Sequence, residues 1–268
     1  MPGNVDGNRL KLLQGLHSQL TYHKLLGLRS YPRSSEIVSF LHSKAGPQRA
    51  EFEKMNRGVA PQPARQSASA GQESGSGASL DEIAEEVRSC QACELYNHRI
   101  YAVPGSGSEH VRLMIIGDWL TADDSGRLPA GLLFGVEQDR MLGKMVEAIN
   151  LPQHQVFITN VIKCAIGSDC QPQAAHVSSC SSYLRCQIAV LMPEVICTMG
   201  MIAARAVLEM SQPLSRLRQQ FHSYHPRQDV AIPVLATYHP GYLLQNTEMK
   251  RAAWMDLQLL GKKLGLQF

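Results

Sequence analysis

Cys90 and Cys93 form a C-x-x-C pair, a spacing that lets two thiolates turn onto one metal centre. A second pair, Cys164 and Cys180, is separated by a loop able to bring both thiols to the same point. Four thiols from two segments suit structural zinc and an iron-sulfur cluster alike. The competing reading is a set of unligated core thiols. Cys170, Cys186 and Cys197 are left over, and Cys197 sits inside an apolar run as a small hydrophobe. Seven cysteines, an odd number, argue against a disulfide framework. The other residues with chemistry to offer are Asp118, Asn160 and His239, each at or just beyond the end of a short β-type run.

Those runs cover residues 112–117, 156–160, 194–200 and 232–237, and helical patterns fill the gaps at 138–149, 174–191, 201–210 and 248–264. Strands separated by helices imply βαβ crossovers and a mainly parallel sheet covered on both faces. In such sheets ligands sit beyond the carboxyl ends of the strands, which directs attention to Asp118, Asn160, Gly200 and His239. Ser79 followed by Leu80, Asp81 and Glu82 reads as a helix start. Upstream, residues 58–79 shift to Pro, Gln, Ser, Gly and Ala, a composition that reads as a flexible linker. Residues 1–57 carry amphipathic helical patterns at 9–26 and 36–42, so the expected organisation is a helical extension at 1–57, a linker at 58–79 and a folded domain at 80–268.

The balance of 44% hydrophobic and 18% charged residues is that of a globular chain. A formal net charge of +3 permits a polyanionic partner without demanding one. No apolar run reaches the roughly 18 residues of a membrane helix, and the first residues lack the apolar stretch of a signal peptide. A cytoplasmic, monomeric protein without membrane contact is expected.

Five elements occur in one order: Cys90-x-x-Cys93, Val103-Pro104-Gly105, the strand ending Gly117-Asp118, Thr159-Asn160-Val161-Ile162-Lys163-Cys164, and the segment from Thr237 through His239 and Pro240 to Leu244. This combination resembles the family 4 uracil-DNA glycosylases, the iron-sulfur branch of that superfamily. The resemblance spans about residues 80–264. It implies a three-layer α/β/α fold with a four-stranded parallel central sheet, a [4Fe-4S] cluster on Cys90, Cys93, Cys164 and Cys180, and hydrolysis of the N-glycosidic bond of uracil, or another deaminated base, in single- or double-stranded DNA.

That reaction extrudes the nucleotide, reads the base edge and stabilises charge as the bond breaks through an oxocarbenium-like sugar. Asn160 offers an amide that donates and accepts together, matching the edge of uracil. Its bland alternative is a strand-end Asn satisfying its own turn. His239 is placed to donate to the oxygen that gains negative charge, or else is a surface loop residue. Phe134 aligns with the aromatic ring that stacks on the base, or packs in the core. Asp118 falls where the family carries glutamate, and its expected role is to orient water or stabilise the cationic sugar. Lys163 and Arg218 are expected to meet phosphates, and Tyr242 and Leu243 to fill the hole left by a flipped base.

Two departures from the family pattern stand out. Trp119 and Leu120 replace the small residues of the first loop, and Ala165 to Asp169 replace an arginine-rich stretch. They motivate a second reading: a catalytically impaired iron-sulfur DNA-binding relative whose pocket is altered between Asp118 and Thr121. The N-terminal helices are expected to dock a protein partner.

Overall fold

The computed structural model of the protein describes residues 79–122 and 131–268. The expected N-terminal helices, the linker up to residue 78 and Asp123 and Asp124, two acids whose place in the sequence suits the acidic pair that follows this loop in the resembled family, lie outside the described residues. Ser79 opens helix α1 (Leu80–Ser89) with a reciprocal cap: the Glu82 amide donates to Ser79 Oγ and the Ser79 amide to the Glu82 carboxylate. The carbonyls at its far end are held by Arg99, which donates to Val87 O and Arg88 O at 3.3 and 2.6 Å. Cys90 therefore leaves the helix at a fixed point, and Cys93 immediately precedes a short 3-10 turn (Glu94–Asn97).

Four parallel strands form the centre, β3 (Leu113–Gly117), β5 (Val156–Asn160), β7 (Val195–Met199) and β9 (Val230–Thr237). They lie in the order β5-β3-β7-β9, and each is a run of apolar or β-branched residues, as burial on both faces requires. The register pairs Gly117 with both Asn160 and Met199, and Met199 with Thr237, so all four strands end at one level. The edges depart from the expected four strands. Antiparallel β2 (Ser106–Gly107) flanks β5 and antiparallel β8 (Phe221–Arg227) flanks β9, making six. β8 alternates exposed and half-buried residues because it faces core on one side only.

Successive side chains of the central strands go to opposite layers. Leu113 and Ile115 pack with α2 (Val136–Ala148) and α7 (Lys250–Lys263), whereas Met114 and Ile116 pack with α3 (Ala174–Leu191) and α4 (Met201–Leu208). Each fully buried Leu or Ile contributes about 1.5–3 kcal/mol, and the two layers make the three-layer α/β/α sandwich. A second, smaller sheet joins β1 (Tyr101–Ala102), β4 (Thr121–Ala122) and β6 (Cys164–Gly167) in the order β1-β6-β4. The segment after Lys163, expected as a loop, thus begins as a strand. Between α4 and β8 lies α5 (Leu214–Leu217), and after β9 comes α6 (Pro240–Gln245). Among the described residues no helix is long and apolar enough to cross a membrane.

Candidate active site

Asn160 closes β5 fully buried. Its Nδ2 donates to Leu133 O at 2.5 Å, and its Oδ1 is enclosed without a partner. Across the register, a side chain at Gly117 would collide with both Asn160 Oδ1 and the Phe134 ring, so glycine is what lets those two groups close on the strand end. Phe134 is held by Asp139 in the first turn of α2, whose carboxylate accepts from the amides of Leu133 and Phe134 at 2.8 and 2.9 Å. Burial raises the Asp139 pKa, opposed by those amides. Sequence reasoning missed Asp139, although an acid three residues into a helix is a recognisable signal.

The Phe134 ring lies 4.9 Å, centroid to centroid, from His239. His239 is the N-cap of α6: its Nδ1 accepts from the Gly241 amide at 3.1 Å, which leaves the neutral ring's proton on Nε2. Nε2 is shut off from solvent and has no partner, and burial lowers the pKa of the ring to about 4. Asn160 and Phe134 therefore meet at Gly117, and the Phe134 ring reaches on to His239, the three being predicted from separate segments. They present one free acceptor and one free neutral donor beside the same aromatic ring.

Asp118 does not join them. Its carboxylate accepts from the Ala203 amide at 2.7 Å and is held by Ile202 as well, so it is committed to the first turn of α4. Burial raises its pKa to about 7 against those amides. Gly200, at φ +110°, has no side chain to collide with that carboxylate. The indole of Trp119 does not occupy the space between Asn160 and His239. It packs on the cysteine cluster with Nε1 donating to Thr121 Oγ1 at 3.0 Å, while Leu120 is buried in the same core as Phe134.

Three expected DNA contacts are corrected. Lys163 is 1% exposed and its amine is consumed inside the fold. Burial lowers its pKa to about 7. Arg218 is 8% exposed and ion-paired with the buried Asp256 at 2.7 Å, its guanidinium lying 4.0 Å from the Tyr238 ring centroid. Leu243 is core, because α6 turns it inward, and the neighbouring Leu244 is the exposed residue. Tyr242 is half-buried and stacks on Tyr238. A separate groove of about 390 Å³ lies beside Leu244, floored by Met141, Met145, Trp254 and Leu257, with Arg140, Lys144 and Lys250 on its lining.

Cys93, Cys164 and Cys180 share one apolar pocket with Leu95, Ile162, Ile166 and Trp119, and Cys170 borders it. Burial pushes the Cys164 thiol up to about 11, opposed by Arg99 and reinforced by Cys180 and Cys93. Burial raises Cys180 too, opposed by the Lys163 amide, with Cys93 and Cys90 adding. All four expected ligands thus lie within electrostatic reach of Cys180. Among the described residues, no three His, Cys, Asp or Glu side chains are spaced to hold a single metal ion. Cys197 is a buried thiol of β7, as expected.

A three-layer sandwich with polar groups at aligned strand ends defines the class. Residues 104–258 match the uracil DNA glycosylase superfamily, and the chain belongs to that family. It is 32% identical to the type-4 uracil-DNA glycosylase of Sulfurisphaera tokodaii over 67% of this chain and 82% of that one. The type-4 enzymes of Saccharolobus solfataricus (30% identity, 69% of this chain and 86% of the relative) and Archaeoglobus fulgidus (28%, 70% and 94%) are similar to it over the same domain.

Proposed function

We propose that this protein hydrolyses the N-glycosidic bond of uracil in DNA, releasing the base and leaving an abasic site. The observation that carries this reading is the pair of buried, unpartnered polar atoms flanking Phe134: Asn160 Oδ1, an acceptor, and His239 Nε2, a donor. An extruded uracil stacked on Phe134 donates its N3–H to Oδ1 and accepts at O4 from the remaining amide hydrogen of Asn160. Cytosine, whose N3 is an acceptor, would face Oδ1 with a lone pair and be rejected. His239 donates from Nε2 to O2 as negative charge collects there, and its depressed pKa keeps it a neutral donor at pH 7. Water then adds to the cationic sugar carbon.

Asp118 has its carboxylate engaged by α4, so its role in this reading is to hold the loop after β3 rather than to activate water. Phosphate contacts fall to Arg140, Lys144 and Lys250 beside the exposed Leu244, which replaces Leu243 as the apolar wedge. The donor set of the thiol pocket, four cysteines in apolar surroundings, fits the [4Fe-4S] cluster of this family, held by Cys90, Cys93, Cys164 and Cys180. Such a group would cross-link α1, β6 and α3 and supply no chemistry at the sugar.

The test is incubation of the protein with single-stranded and duplex oligonucleotides containing uracil, scored for abasic sites. His239→Ala and Asn160→Ala are each expected to lower kcat by about 10²–10³-fold. Undiminished activity in both, or no product from wild type on any deaminated base, refutes the reading.

A further inference from the structure

Lys163 turns back along its own chain. Its Nζ donates to Thr159 Oγ1 at 2.6 Å, to the Asn160 carbonyl at 2.8 Å and to Gln187 Oε1 at 2.6 Å. Three donors meet three acceptors, which is the full capacity of an ammonium. The partners extend the network: Thr159 Oγ1 and Gln187 Nε2 both donate to Pro104 O, and Val103 donates its amide to Lys163 O at 2.7 Å. The Lys163 amide in turn faces the Cys180 thiol. One buried side chain thus joins the end of β5, helix α3 and the segment before β2.

We propose that Lys163 is a positioning residue that fixes the angle at which Asn160 reads the base, acting through the Asn160 carbonyl from a place that no DNA strand reaches. This rests on the glycosylase reading and names a determinant within it. The Asn160 amide has few polar restraints of its own. Its side chain is tied by one hydrogen bond to Leu133 O, while its backbone is paired with β3, and beyond it the Val161 amide donates to Gly117 O at 2.9 Å and the Ile162 amide to Asp118 O at 3.1 Å before the chain reaches Cys164. Removing the amine takes a donor from the buried Asn160 carbonyl and leaves Gln187 Oε1 with only the longer bond from Thr159 Oγ1, at 3.3 Å, so the strand end shifts to find new donors. A shift of about 1 Å at a base-reading group costs on the order of 10²-fold in rate.

Steady-state and single-turnover excision from a single-stranded uracil oligonucleotide tests this with the full chain carrying its iron, checked by iron content, for wild type, Lys163→Met, Asn160→Ala and the double variant. Lys163→Met, which keeps length and packing, is expected to lower kcat by about 10–100-fold with KM and its salt dependence nearly unchanged. In the Asn160→Ala background the same change is expected to cost less than about 3-fold, since its route of action is gone. A raised KM with a shallower salt dependence would mark a phosphate contact and overturn the proposal. So would a loss of the same size in both backgrounds, which is what a general packing defect produces. Should Lys163→Met fail to fold, Gln187→Met decides instead: it removes one acceptor of the amine, along with the donor to Pro104 O, and leaves the amine. A smaller kcat loss, absorbed by Asn160→Ala, supports positioning, and an additive or absent loss overturns it. An inactive wild type fails the glycosylase reading itself, whereas an active wild type with a silent Lys163→Met fails the positioning role alone.

Discussion

Burial disfavours the charged form of both His239 and Asp118, with opposite consequences for pH dependence. The imidazole, near 6.5 in an unfolded chain, stays neutral in the fold down to about 4. Below pH 6.5 the unfolded state therefore binds the extra proton, and the stability contributed is lost as pH falls through that window. For Asp118 the carboxyl titrates near 3.9 unfolded and about 7 folded. The folded state holds the proton between those values, so stability declines as pH rises from 4 to 7, by at most about 1.4 kcal/mol per unit. Asp118→Asn keeps an oxygen for the Ala203 amide and removes the titration. Relative to wild type, the variant is expected to gain in Tm steadily from pH 4 to 7 in a calorimetric series, and a constant offset would show that Asp118 is not protonated in the fold.

At the scale of elements, the turn that presents His239 is held from beneath by α7. Asp256, fully buried, accepts from Thr237 Oγ1 at 2.6 Å and from Arg218 Nε at 2.8 Å, and the Arg218 guanidinium covers Tyr238. Thr237, Tyr238 and His239 are consecutive, so one carboxylate and one guanidinium grip the two residues that precede the candidate donor. Taking away half of a buried pair strands the other charge. Asp256→Ala is expected to destabilise the protein by about 3–5 kcal/mol in urea unfolding and to lower kcat through a loosened turn. A loss below about 1 kcal/mol would place the pair among the weak surface bridges.

For the molecule as a whole, the thiol pocket occupies the seam where the small sheet, α1 and α3 meet, apart from the layer that holds Phe134. A bound cluster there would act on stability before it acts on rate, because it closes loops between segments far apart in sequence. Cys180→Ser is expected to abolish bound iron and to lower Tm, while the fraction that remains folded still excises uracil. Full iron content with an unshifted Tm would remove Cys180 from the ligand set.

Much of this was written in local pattern. The four apolar runs, separated by helical patterns, read as buried parallel strands, and their common carboxyl end marks Asn160 and His239 as candidate site residues. The cysteine spacing and the ordered motifs carried the family. What the tertiary structure decided was direction. Lys163 and Arg218 look like surface cations by type, and only acceptors from Thr159, Gln187 and Asp256, up to 38 residues away, draw them inward. Trp119 packs on the thiols, Asp118 is held by amides of α4, and Leu243 rather than Leu244 is buried, each set by the elements packed around it. The two-residue strands β1, β2 and β4 have no period to read at all. Apolar periodicity is a property of consecutive residues and survives in the sequence, whereas the side a polar group faces is set by partners that only folding brings near.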